Sequence, residues 1–387
     1  MNLITNKYII REQNEAAILQ EIINRGQISR AELSTQTGLN KASVSSITKK
    51  LIEDELIFEI GIGDSSSSGG RKPIMLAFNG KSALVIAFDL GTNYLEGVLA
   101  YIDGTIVETY SKERISIGST NASEEINLAF TQLTLKQPDT PLDIVGMTVA
   151  IHGVVNRHQP IFTPHYDLDK IDLYKELKAN YSFPIHLYNE ANLAALGEYT
   201  FSSEYQNLVT VSIHSGIGSG IVESGEMFLG KNGQAGEIGH TILFPNGKQC
   251  SCGNRGCFEQ YASSNVIYDK LAKQKQLEYV NSSIFLEYVS KNDKEAQALI
   301  QGNAEFLSIG INNIIMMYNP EIIIINSSLC RAIPQMIEII NQYLKSQFSR
   351  EIEVKNTLLG DYATLYGGVS VSCQEFLRVK GLKFKEK

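Results

Sequence analysis

The chain has 387 residues, 43% hydrophobic and 20% charged, with 31 Gly and 9 Pro. This excludes a wholly disordered or fibrous chain, and the length allows two or three domains of ~150 residues. The net charge of −8 argues against a bulk field that coats nucleic acid, yet residues 1–80 hold nine Lys/Arg and nine Asp/Glu, so all the excess acidity lies beyond residue 80. No apolar run approaches the ~20 residues of a membrane span, so no membrane partner is expected. Residues 1–7 show no apolar segment ahead of a cleavage site, and the expected location is the cytoplasm.

The first 60 residues read as short amphipathic helices. Ala16, Ile18, Leu19, Ile22 and Ile23 form an apolar stripe followed by Gly26. Ser29 and Glu32 make a capping box, and the helix they start ends at Gly38. After the turn Gly38-Leu39-Asn40, Asn40 can cap a third helix running to about Asp54, with Val44, Ile47 and Leu51 on its buried face. Its outer face is expected to carry Lys41, Ser43, Ser45, Ser46, Thr48 and Lys49. No acidic residue occurs from Gln36 to Ile52, as a phosphate-facing surface requires. Two strand-like runs, Phe58–Gly63 and Ile74–Phe78, flank a Ser/Gly loop tipped by Arg71 and Lys72. Together these predict a winged helix-turn-helix over residues 12–78 that reads operator DNA with Lys41, Ser43, Ser45, Ser46, Lys49, Arg71 and Lys72. A flexible linker for the Ser/Gly run and a helical domain for protein contacts are the alternatives.

From Lys81 the texture becomes α/β, with apolar runs at 84–90, 144–151, 185–188, 208–213 and 321–326 reading as buried strands between helices. Asp89-Leu-Gly91-Thr92 follows the first of these, as a phosphate-binding turn does. Further along come Tyr188-Asn189-Glu190, then His214-Ser-Gly216-Ile-Gly218. Last are Gly236-Glu237-Ile-Gly-His240 and Cys250-Ser-Cys252-Gly-Asn-Arg-Gly-Cys257-Phe-Glu259. Asn189 and Glu190 also suit an ordinary helix start.

These last elements resemble the signature of the ROK family, whose sugar kinases and sugar-responsive repressors share a bilobal actin/hexokinase-like, ribonuclease H-like fold. The likeness spans nearly the whole chain, and the amino-terminal winged helix-turn-helix is similar to that of the family's repressor branch, xylose-responsive members in particular. It implies a DNA-binding domain over 1–80, a small α/β lobe over 81–187 with a carboxy-terminal helix at 367–387, and a large lobe over 188–366 with the zinc loop and the dimerisation surface. His240, Cys250, Cys252 and Cys257 make a closed three-thiolate, one-imidazole set suited to structural Zn²⁺, against unrelated buried cysteines as the alternative. The resemblance further implies a sugar held by Asn189, Glu190, Glu237, His240 and Glu259.

Family kinases carry an Asn-Asp pair whose Asp is the general base. Glu190 moves that carboxylate by about 1.5 Å, and a misplacement of ~1 Å can cost on the order of 100-fold in rate. His214-Ser215 stands where kinases have glycine, Asn326-Ser327-Ser328 replaces a Gly-Gly adenosine platform, and the first loop is one glycine short. Asp89, Gly91, Thr92, Gly216 and Gly218 therefore read as vestigial phosphate loops without catalytic residues. The expectation is a dimeric, non-enzymatic, sugar-responsive repressor, or a dimer of dimers, released from DNA through a linker near Asn79–Ser82. The alternative is an ATP-dependent sugar kinase that retains a DNA-binding domain.

Overall fold

The structure, a computed structural model, describes residues 3–62 and 73–384. Helix α1 (Leu3–Arg25) buries Ile18, Leu19, Ile22 and Ile23 before Gly26 turns the chain at φ 74°. Strand β1 (Gln27–Ser29) leads into α2 (Arg30–Thr37). At that junction the backbone N–H of Glu32 donates to Ser29 Oγ at 3.2 Å, and the N–H of Ser29 donates to the Glu32 carboxylate at 2.9 Å. Gly38 ends α2 in the left-handed region, and Asn40 Oδ1 accepts from Ser43 N at 2.9 Å to open α3 (Lys41–Glu53). Val44, Ile47 and Leu51 are buried as expected. Thr48 is a correction: it is fully buried, donating to Val44 O at 2.9 Å and accepting from Arg30 Nε at 3.0 Å. Its spacing of four from Val44 and three from Leu51 puts it on the inner stripe.

Strands β2 (Ile57–Ile62) and β3 (Ile74–Phe78) form the antiparallel wing, and β1 pairs with the other edge of β3. That third strand, three residues long, is too short to show an alternation in the sequence. Arg71 and Lys72 lie outside the described residues.

Contacts divide the chain into two compact units, one of residues 1–149, 173–186 and 368–387, the other of 150–172 and 187–367. In the first, the region expected as a linker is pinned. Asn79 N donates to Leu56 O and Asn79 Nδ2 to Glu55 O, both at 2.9 Å, while Ser82 N donates to Asn79 O at 3.1 Å. Gln20 Nε2 donates to Lys380 O at 3.1 Å, Arg378 pairs with Glu12, and the rings of Phe78 and Phe384 stack. These contacts hold the winged elements to the same unit as the next sheet.

That sheet is built from β4 (Leu84–Leu90), β5 (Tyr94–Tyr101), β6 (Ile106–Glu113) and β7 (Ile144–Ile151), with α4 (Ala122–Thr134) packed on β5. The ribbon β8 (Val154–Asn156) and β9 (Gln159–Phe162), helix α5 (Leu173–Asn180) and strand β10 (Ile185–Asn189) follow. The order is β10-β7-β4-β5-β6, with β4, β5 and β6 joined as antiparallel hairpins. Both hairpin partners escape the apolar-run criterion, since β6 is polar on its exposed face.

The second unit, which also includes β8 and β9, contains α6 (Glu190–Phe201), a helix buried almost all round. It contains β11 (Leu208–Ile213), β12 (Ile217–Glu223), β13 (Glu226–Met227), α7 (Glu259–Ala262), α8 (Ser264–Lys275), α9 (Ser282–Ser290) and α10 (Lys294–Tyr318). Then come β14 (Ile322–Asn326), α11 (Ser328–Ala332), α12 (Gln335–Tyr343) and β15 (Glu353–Asn356), while the carboxy-terminal α13 (Ala363–Leu377) belongs to the first unit from residue 368 on. Sheet order is β13-β12-β11-β14-β15, with β14 parallel to both β11 and β15. Gly220 is required here, because a Cβ on it would meet Ala191 O at 2.1 Å where β12 lies against α6.

Candidate functional site

The second unit holds a cavity of about 90 Å³ lined by Asn189, Glu190, Glu237, His240 and Glu259, all five expected sugar residues. Asn189 caps α6: its Oδ1 accepts from Asn192 N at 3.1 Å and its Nδ2 donates to Gly153 O at 2.9 Å. It thus does the work of a helix start while one amide hydrogen and one lone pair remain for a ligand. Glu190, the first residue of α6, is 5% exposed. Burial pushes its carboxyl up, but the His214 imidazole, its Nε2 3.1 Å from Glu190 Oε1, leaves it below the usual carboxylate range. Glu237 goes the other way, to about 7, through burial and the neighbouring carboxylates Glu259 and Glu190.

Gly236 and Gly239 let this loop lie on β12, where a Cβ would meet Ser219 O at 2.0 Å and Ile217 O at 2.1 Å. His240 Nδ1 and the thiol sulfurs of Cys250, Cys252 and Cys257 all lie within 4.8 Å of one another. Cys250 Sγ is 3.5 Å from His240 Nδ1, and Cys252 Sγ is 3.6 Å from Cys257 Sγ. A tetrahedral ion with bonds of ~2.0–2.3 Å needs ligand edges of about 3.6–3.8 Å, so the set fits a metal. Burial and the adjacent thiols push Cys257 up to about 12 and raise Cys250, so a metal here displaces protons. Bound through Nδ1, the imidazole keeps its proton on Nε2, which faces Glu237 Oε2 at 3.8 Å.

Sequence reasoning missed His152, Phe162, His165 and Ser212 and read His214 only as a departure from the phosphate loop; all five line the same cavity. Four of the six histidines thus meet here. The signal was available: His152 and His214 each follow directly on the last residue of a strand, where α/β sheets present ligand-binding groups. His165 is held below the ordinary histidine range by burial.

The phosphate-loop residues are used internally. In the first unit the ring of Tyr94 covers Gly91, where a Cβ would meet it at 2.2 Å, and Tyr94 Oη donates to Asp89 Oδ2 at 3.1 Å. Thr92 O accepts from Ile117 N at 3.0 Å. In the second, Gly216 and Gly218 belong to a three-residue hairpin in which His214 N donates to Gly216 O at 3.0 Å, and Gly218 faces Ala191. After β14, Ser327 caps α11 through Cys330 N.

On α3, Lys41, Ser45, Ser46 and Lys49 are exposed and Ser43 is half-buried. Lys50 is committed inward, 2.5 Å from Glu15 of α1.

Comparison with known proteins agrees with this division. Residues 85–375 match the ROK family and residues 11–57 match a winged helix-turn-helix DNA-binding family. The chain belongs to the ROK family, in the branch that joins a winged helix-turn-helix to the sugar-responsive fold. It is similar to the xylose repressor of Bacillus subtilis (strain 168), 33% identical over 97% of this chain and 98% of that one. The transcriptional dual regulator NagC of Escherichia coli (strain K12) is 26% identical over 89% and 87%. A solved ROK family transcriptional regulator, a homologue of the E. coli MLC protein, covers 95% of this chain and 97% of its own with TM-score 0.80 and 26% identity. A ROK family glucokinase from Streptomyces griseus, 21% identical with TM-score 0.68 over 75% of this chain and 99% of its own, shares the fold. The protein is a sugar-responsive transcriptional repressor, and no helix among its described residues is long and apolar enough to cross a membrane.

Proposed function

We propose that the protein binds operator DNA as a homodimer, or as a dimer of dimers, and releases it when xylose or a related aldose enters the cavity. Asn189, Glu190, Glu237, His240 and Glu259 hold the sugar, and Zn²⁺ on His240, Cys250, Cys252 and Cys257 ties down the loop that carries three of them. Residues 1–80 read the operator in the cytoplasm through Lys41, Ser43, Ser45, Ser46, Lys49, Arg71 and Lys72. Residues 81–187 with 367–387, and 188–366, are the two lobes of the sensor. The cavity volume corresponds to ~6–9 water-sized positions at 10–15 Å³ each, the scale of a monosaccharide.

One observation carries the non-enzymatic reading: the carboxylate at the position of a kinase base faces an imidazole. A carboxylate that this neighbour leaves below its usual range is a weaker base for the proton of a sugar hydroxyl. Release then requires that sugar prefer the conformation that binds DNA poorly, since equal affinity would shift nothing. The test combines calorimetry against pentoses and hexoses, operator binding with and without the sugar that binds, and incubation with ATP and Mg²⁺. Sugar-dependent operator release without phosphoryl transfer is expected. Turnover of about 1–100 s⁻¹ would replace the sensor with an ATP-dependent sugar kinase.

A further inference from the structure

We propose that His214 is a ligand-positioning residue of the sugar cavity, bridging one sugar hydroxyl with Glu190. This rests on the sugar-binding reading above and adds a residue to it.

Glu190 is 5% exposed and lines the cavity. Its Oε1 lies 3.1 Å from His214 Nε2, but the ring N–H is not directed along that line, so this buried oxygen has an ion-pair neighbour and no aligned donor. A buried acceptor left this way is costly unless a ligand supplies the missing hydrogen. A hydroxyl seated beside the pair, about 2.8 Å from each atom, satisfies both, donating its proton to Glu190 Oε1 and accepting from His214 Nε2–H. The ligand class this selects is a neutral polyol, whose hydroxyl can donate and accept at once.

The imidazole is carried on a fixed backbone. His214 N donates to Gly216 O, and His214 O accepts from Ser264 N, both at 3.0 Å, so the hairpin and the start of α8 clamp the residue on two sides. The His152 ring stands edge-on to it, with centroids 6.3 Å apart. The side chain itself is 40% exposed, open enough for a ligand to reach. A rigid donor beside a buried acceptor is the preorganisation that a specific site needs.

The experiment is calorimetric titration of full-length, metal-loaded protein with xylose, comparing the wild type, His214→Ala and His214→Gln. Metal content and melting temperature show that the variants are folded. His214→Ala is expected to weaken xylose on the order of 10- to 100-fold, and His214→Gln, whose amide retains an N–H donor, to recover part of it. Xylose binding by His214→Ala within about twofold of the wild type would overturn the assignment of His214 alone. Absence of aldose binding by the wild type would overturn the sugar-binding reading and this assignment together.

Discussion

The winged domain and the sugar cavity handle charge in opposite ways. Around α3 the charges stand at the surface: Lys49 is 77% exposed and loosely paired with Glu53 at 3.7 Å. Ion pairs of this kind contribute little to stability, and the field of such an exposed face falls off within about a Debye length. In the cavity, Glu190, Glu237 and Glu259 share one small space with four histidines; the His214 imidazole leaves Glu190 below the usual carboxylate range, while burial and its carboxylate neighbours push Glu237 up to about 7. Surface charge is tolerant and additive, whereas buried charge depends on each neighbour, so equal substitutions should cost far more in the cavity than on α3.

The largest effect is expected at the metal loop. Cys252→Ser should abolish metal binding, lower stability by several kcal/mol and the melting temperature by on the order of 10 °C, and remove sugar binding. Metal analysis and thermal unfolding check this, and retained metal with intact sugar binding would break the link between loop and cavity. Because the Cys250 and Cys257 thiols sit above their ordinary values without metal, protons compete with the ion. Affinity should therefore fall as pH drops from 8 to 6, by up to about tenfold per pH unit for each proton displaced, in a chelator competition assay.

Next in size, Glu190→Gln keeps the shape but removes the charge beside His214. Sugar affinity should fall on the order of 100-fold, measured by calorimetry, with operator binding in the absence of sugar unaffected. A smaller effect belongs to the surface region: Lys49→Gln should weaken operator binding uniformly and reduce the slope of log affinity against log salt by about 0.9. Fluorescence anisotropy across a salt series reads this, and an unchanged slope would remove Lys49 from the phosphate contacts. The smallest expected change is Ser29→Ala, which deletes one side of the capping box and should cost about 1 kcal/mol in urea unfolding.

The two regions also differ in how far they were legible. Ser29, Glu32, Gly38 and Asn40 act within a few residues of themselves, so spacing alone revealed the helix-turn-helix and its caps. Thr48 was misplaced only because its polarity was weighed above its position on the buried stripe. The metal set was legible because three cysteines within eight residues leave few alternatives. His152 and His165 were not, since each is unremarkable in its own stretch, and His214 was legible only as a departure from the phosphate loop; the three meet only in the folded cavity.

Local chemistry written in the sequence determined the caps, the turns, the acid-free run from Gln36 to Ile52, the cysteine spacing and membership of the ROK family. Tertiary structure alone decided that Glu190 would face His214, that Tyr94 would cover the Gly91 turn, and that residues 79–82 would be hydrogen-bonded into the first unit. The physical reason is range. Caps and helix stripes are set by bonds spanning three or four residues, whereas the state of a buried carboxylate depends on groups distant in sequence that burial brings into its company.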